Sequence, residues 1–138
     1  MAYQLSWCVP HRVIRYRLYG DLTLDQITQS SIDYIEMVKS VDGEVHTIVD
    51  IAQLEKFPTN LHQVVTAARF KPEDIRGWAV LVHQANPMVQ YTMAMTAQMV
   101  LKHPRLRVVN DVQAALDFLR EKDSLLDLNT MDIQFSTI

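Results

Sequence analysis

From residue 45 to residue 119 the chain alternates short apolar, β-branched runs with longer segments of helical period, and no other feature restricts its fold so strongly. Residues 45–51, 78–83 and 106–109 are too short for helices and too continuously apolar for half-exposed strands, so they read as strands covered on both faces. Between the first two, residues 59–70 place Leu61, Val64, Val65 and Ala68 on one helical face, with Thr59 as the expected cap and Lys71-Pro72 as the stop. Residues 87–102 follow Asn86, an N-cap side chain with proline at the first helical position. Asp111 caps a last helix through Val112, Ala115, Leu116 and Leu119. Strands linked through helices need crossovers, which are right-handed and build a parallel sheet.

The N-terminal part has the other period. Tyr3, Leu5, Trp7 and Val9 alternate with Gln4, Ser6 and Cys8; after Pro10-His11, Ile14, Tyr16 and Leu18 alternate with Val13, Arg15, Arg17 and Tyr19. Two strands around so short a break form an antiparallel hairpin. Thr23 and Gln26 then make a capping box for a helix reaching Lys39, with Leu24, Ile27, Ser31, Ile35 and Val38 on its inner face. The expected fold is a single mixed α/β sheet in the order β-β-α-β-α-β-α-β-α, a domain over residues 1–122. Residues 123–138 form a tail in which Met131, Ile133 and Phe135 alternate with Asp132, Gln134 and Ser136. That alternation suits an extra edge strand or an arm crossing to a partner.

Composition narrows the function. Thirteen Lys and Arg against sixteen Asp and Glu leave a net charge of −3, which argues against a nucleic-acid binder. One cysteine excludes an internal disulfide framework, and no apolar run approaches the ~20 residues of a membrane span. A cytoplasmic protein is the expectation. Gly20, Gly43 and Gly77 stand alone, so there is no phosphate-cradling loop and no cofactor is expected. The histidines at 11, 46, 62, 83 and 103 have no metal-binding spacing, and His46, inside an apolar strand, reads as a hydrogen-bonded structural residue. Cys8 falls on the polar face of the first strand, and Arg12, Arg15 and Arg17 read as a solvated strand surface.

Parallel strands gather their C-terminal ends on one rim, where α/β sheets bind ligands. Asp50, His83 and Asn110 fall there, and a carboxylate beside an imidazole could serve acid–base chemistry. No nucleophile accompanies them, so a small-molecule binder or enzyme using this rim is the alternative rather than the leading reading.

The helix at 87–102 is more informative. Its one formal charge is Lys102, against ten apolar residues. At ~100° per residue these fall on two arcs. Val89, Met93, Ala97, Val100 and Leu101 suit packing on the sheet. Met88, Tyr91, Met95 and Met99 form a second arc, set apart by Gln90 and Gln98 on one side and Thr92 and Thr96 on the other. A helix on a sheet needs one apolar stripe; the second is core, an apolar groove or an interface, and methionine suits adaptable contact surfaces. A homodimer built on this stripe is the expectation.

In this order of elements the chain resembles the SpoIIAA-like, or STAS-type, family of small α/β domains over roughly residues 3–121. The resemblance rests on the hairpin ending Tyr19-Gly20-Asp21-Leu22-Thr23, the strand His46-Thr47-Ile48-Val49-Asp50, the run Gly77-Trp78-Ala79-Val80-Leu81-Val82, and the closing Val108-Val109-Asn110-Asp111-Val112-Gln113-Ala114-Ala115-Leu116-Asp117-Phe118-Leu119. It implies a regulatory domain without catalysis of its own that binds partner proteins, as anti-sigma-factor antagonists do. In those antagonists a phosphorylatable serine lies nine residues after a strand-ending aspartate, and the same count from Asp50 reaches Thr59. Here Pro58-Thr59 stands where the family has Asp-Ser, and threonine at a helix start also serves as a cap.

Overall fold

The computed structural model describes residues 2–58, 60–69, 74, 76–82, 86–101 and 105–123. Strands β1 (Tyr3–Val9) and β2 (Val13–Asp21) form the expected antiparallel hairpin. Arg12 N–H bonds to the Val9 carbonyl at 3.0 Å, with Pro10 and His11 central and His11 at φ 62°. Proline followed by a positive φ has the pattern of a type II turn, in which histidine occupies the place glycine usually takes. Helix α1 (Leu24–Lys39) opens on Thr23 with both bonds of the capping box. Then come β3 (His46–Lys56), α2 (Leu61–Ala67), β4 (Ala79–Val82), α3 (Pro87–Leu101), β5 (Leu106–Val109) and α4 (Val112–Lys122).

The strands lie in the order β1-β2-β3-β4-β5, with every pair after the first parallel. Because the order never reverses, right-handed crossovers place α1, α2 and α3 on one face. Ile27, Tyr34 and Val38 of α1, Val64 of α2, and Val89 and Met93 of α3 pack there on Ile14, Tyr16, Leu18, Ile51 and Leu81. Helix α4 covers the other face, setting Ala115, Leu116 and Leu119 against Cys8, Val13, Ile48, Val80 and Val82. Strands β3 and β4 are therefore buried on both faces, as their unbroken apolar runs require.

Four expectations change. Cys8 is not on a solvated face, because α4 reaches the hairpin and buries its side chain completely. Arg15 is not solvated either; it is buried and paired with Asp50. Strand β3 continues to Lys56, five residues beyond the expected end, because Gln53, Leu54 and Lys56 pair with Tyr19, Gly20 and Asp21 of the long β2. The pairing slips twice on the way, and Gly20, at φ 64°, supplies the left-handed backbone at the second slip. Helix α2 is shorter than expected, and Asn60 caps it by accepting from Gln63 N–H at 3.1 Å. Residues 124–138, the greater part of the expected tail, lie outside the described residues.

Under the sheet, a polar cluster ties the fold together. The Trp78 N–H donates to His46 Nδ1 at 2.9 Å, so the proton of this imidazole sits on Nε2, where it faces Asp123 Oδ2 at 3.1 Å. Arg12 donates to the same carboxylate oxygen at 2.8 Å. His46 is thus the structural histidine its strand position suggested. Gly77 passes so close to the ring that a Cβ there would stand 2.6 Å from Nδ1.

Candidate functional site

Helix α3 begins as its sequence dictates. Asn86 Oδ1 accepts from Met88 N–H at 3.0 Å, the Asn86 carbonyl accepts from Gln90 N–H, and Pro87 occupies the first turn, where its missing N–H costs nothing. Val89 and Met93 turn inward and are buried, while Thr92, also buried, returns its hydroxyl to the Met88 carbonyl at 2.9 Å. The second arc turns outward: Met88 is 63 % exposed and Tyr91 65 %, with Met95 partly exposed beside them. They are two of the four large hydrophobic residues most open to water among those described; the others, Ile32 and Val108, lie on α1 and β5. Met99 continues the arc along the backbone, and its side chain lies outside the described residues. Burying a side chain of this size stabilises by roughly 1.5–3 kcal/mol, a gain that Met88 and Tyr91 do not make within the described fold.

The rim residues are arranged differently. Asp50 is a buried acceptor: Arg15 donates to Oδ2 at 2.8 Å and the Ala52 N–H to Oδ1 at 3.2 Å. Their side chains are 5 % and 3 % exposed, so this is an ion pair inside the sheet's second face rather than a carboxylate open to a ligand. Asp50 also lies short of the end of β3, although β4 stops opposite it at Val82. Asn110 is exposed, one residue beyond β5. Asp50 pairs with Val82 and Val82 with Val109, so Asn110 and Asp50 stand two strand spacings apart, roughly 10 Å. His83 and Thr59 lie outside the described residues. Among the described residues no three His, Cys, Asp or Glu side chains are grouped to hold a metal ion, and no helix is long and apolar enough to cross a membrane.

Sequence reasoning placed Asp50 but missed its partner, since nothing local links positions 35 residues apart. It also missed the buried hydroxyl pairs between Tyr34 and Thr47 and between Tyr16 and Ser30, both 2.5 Å. Burial pushes the Tyr34 phenol up to about 12 and the Tyr16 phenol higher still, so both stay protonated inside the core. The signal was present: two tyrosines sit at positions whose strand and helix periods point inward.

No protein-family model matches the chain, and no curated protein does. Among solved structures it is similar to the anti-sigma factor antagonist SpoIIAA in its unphosphorylated form. The identity is 17 %, the TM-score is 0.61, and the match covers 87 % of this chain and 97 % of that one. An antiparallel hairpin leading into parallel strands in sequential order, over so complete a match, gives this chain a SpoIIAA-like, STAS-type fold.

Proposed function

We propose that the chain is a non-enzymatic regulatory module of the cytoplasm that acts by binding protein, and that it pairs with a second copy of itself through the outer arc of α3. The observation that carries this reading is the exposure of Met88 and Tyr91 on a helix whose opposite face already packs on the sheet. Neutral, adaptable side chains around one aromatic anchor are the composition of a contact surface. The solved structure of the same fold is described as that of an anti-sigma factor antagonist, and that supports the regulatory half of the reading. Asp50, the residue on which rim chemistry would depend, is occupied by Arg15.

Light scattering across a dilution series of the full chain tests the proposal. The parent is expected at twice the monomer mass, and Tyr91→Asp and Met95→Asp at the monomer mass with unchanged circular dichroism, since each buries an unpaired charge in the contact. A parent that is monomeric throughout, or variants that keep the parent's mass, would show that this face is not the interface.

A further inference from the structure

Helix α4 ends beside a group of rings and cations on the face of the sheet opposite α3. The Trp78 and Phe118 rings meet edge to face with centroids 4.9 Å apart, and both are only partly buried against the core beneath α4. Arg107 reaches them from β5. It pairs in register with Val80, whose side chain lies under α4, so the two share that face. Its guanidinium stands 5.4 Å from the centre of the Phe118 ring. Lys122, one helical turn beyond Phe118, sets its ammonium 5.6 Å from the centres of both rings. Both cations are exposed. Their neighbours are neutralised, Arg12 by Asp123 at 2.8 Å and Arg105 by Glu44 at 3.0 Å, whereas Arg107 and Lys122 join no ion pair among the described residues. Asp117 accepts from Gln113, and the helical period turns Glu121 about 100° away from Lys122.

The rings hold two positive charges in place and leave them uncompensated, in a chain whose net charge is −3. Lys122 also suits the C-terminal end of a helix, but Arg107, on a strand, gains nothing from that dipole. Two charges on one ring lie no farther apart than the sum of their distances to it, about 11 Å, and alternate residues of an extended segment are about 7 Å apart. One such segment sets a carboxylate on each cation and lays its side-chain stems on Trp78 and Phe118. We propose that this patch docks an acidic segment of a partner protein, with Arg107 and Lys122 each taking a carboxylate. Arginine and tryptophan around a partly buried centre are the residues that carry contact energy. A nucleic acid matches less well, because two cations on an acidic protein do not follow a continuous line of phosphates. The inference rests on the reading of the chain as a protein-binding module, and it places the partner on the opposite side of the sheet from the α3 contact.

Titration of the isotope-labelled full chain with a blocked hexaglutamate peptide at low salt, followed by NMR, tests this. The Trp78 indole N–H and the amides of Arg107, Phe118 and Lys122 are expected to shift and to saturate at millimolar peptide. Arg107→Gln together with Lys122→Gln should weaken binding about tenfold, and physiological salt should weaken it several-fold. The charge-conserving pair Arg107→Lys with Lys122→Arg should stay within about twofold of the parent. So should Arg120→Gln, which removes one charge from the far flank of α4, about 200° around the helix from Phe118. No shift at these positions would overturn the inference, as would an affinity that ignores the double variant or falls as far in Arg120→Gln. Tighter binding of a short oligothymidylate would also overturn it, by assigning the patch to nucleic acid. Light scattering of the double variant is expected to give the parent's mass, so loss of the peptide is read apart from the contact on α3; a changed mass would place these cations in self-association instead and refute the assignment.

Discussion

Replacing Gly77 with alanine probes the contact on which the start of β4 depends. The added Cβ would lie 2.6 Å from His46 Nδ1, 2.6 Å from the Val45 carbonyl oxygen and 2.9 Å from its carbon. Two of these atoms are backbone, so no rotamer change relieves the overlap, and overpacking of this kind costs about 1–3 kcal/mol. Moving the imidazole also breaks its bond from the Trp78 N–H and leaves a partly buried donor unpaired, about 1–3 kcal/mol more. The stiffer unfolded chain returns about 0.4–1 kcal/mol. The net loss is about 1–6 kcal/mol, which lowers Tm by roughly 3–20 °C in a domain of this size. Urea and thermal unfolding followed by circular dichroism measure it, with Gly43→Ala beside it as a comparison. Gly43 has φ 92° and open space around its Cβ position, so that variant carries backbone strain alone, about 1–2 kcal/mol. If Gly77→Ala unfolds within 0.5 kcal/mol of the parent, the contact is not the constraint described here.

Asp50→Asn strips the charge that Arg15 faces inside the protein and is expected to cost about 3–5 kcal/mol by urea unfolding, whereas the double change Arg15→Met with Asp50→Leu should recover most of it. Stability should fall as pH rises through the alkaline range. Unfolded tyrosine ionises near 10 while folded Tyr34 holds its proton to about 12, so the stabilisation is complete below pH 10 and is lost between 10 and 12; urea midpoints at pH 9 and 11.5 read the change, and a midpoint that stays level would contradict the buried phenols. The Cys8 thiol, fully buried under α4, should react with a thiol reagent only as fast as the domain opens, and labelling at the rate of an exposed cysteine would show that α4 does not cover the hairpin.

Local order was legible in the sequence because local physics writes it. The capping box at Thr23, the cap and proline at Asn86-Pro87, and the cap at Asp111 each involve neighbours within three positions, and each is present in the structure. The parallel sheet followed from the change of period, which one short window displays. Contacts across the sheet were not legible. Arg15 reads as a surface cation until a strand 35 residues away brings Asp50 under it, and Cys8 reads as polar-facing until α4 arrives more than a hundred residues later. The extension of β3 was hidden because Gln53, Glu55 and Lys56 are polar and the pairing they join is irregular. The outer arc of α3 could be drawn from the helical period, but only the packing of Val89 and Met93 shows which arc is left to water.

The bond between Arg12 and Asp123 joins points 111 residues apart, and that between His46 and Asp123 spans 77. A sheet laid down in sequential order can grow by closing one short loop after another, each strand finding the edge its predecessor has just made. The two long-range bonds to Asp123 have no such route and must wait until β2, β3 and α4 are in place. They therefore belong to the native side of the folding barrier. Their contribution is expected in how slowly the domain comes apart, so losing this carboxylate should shorten the native lifetime of the protein more than it slows its formation.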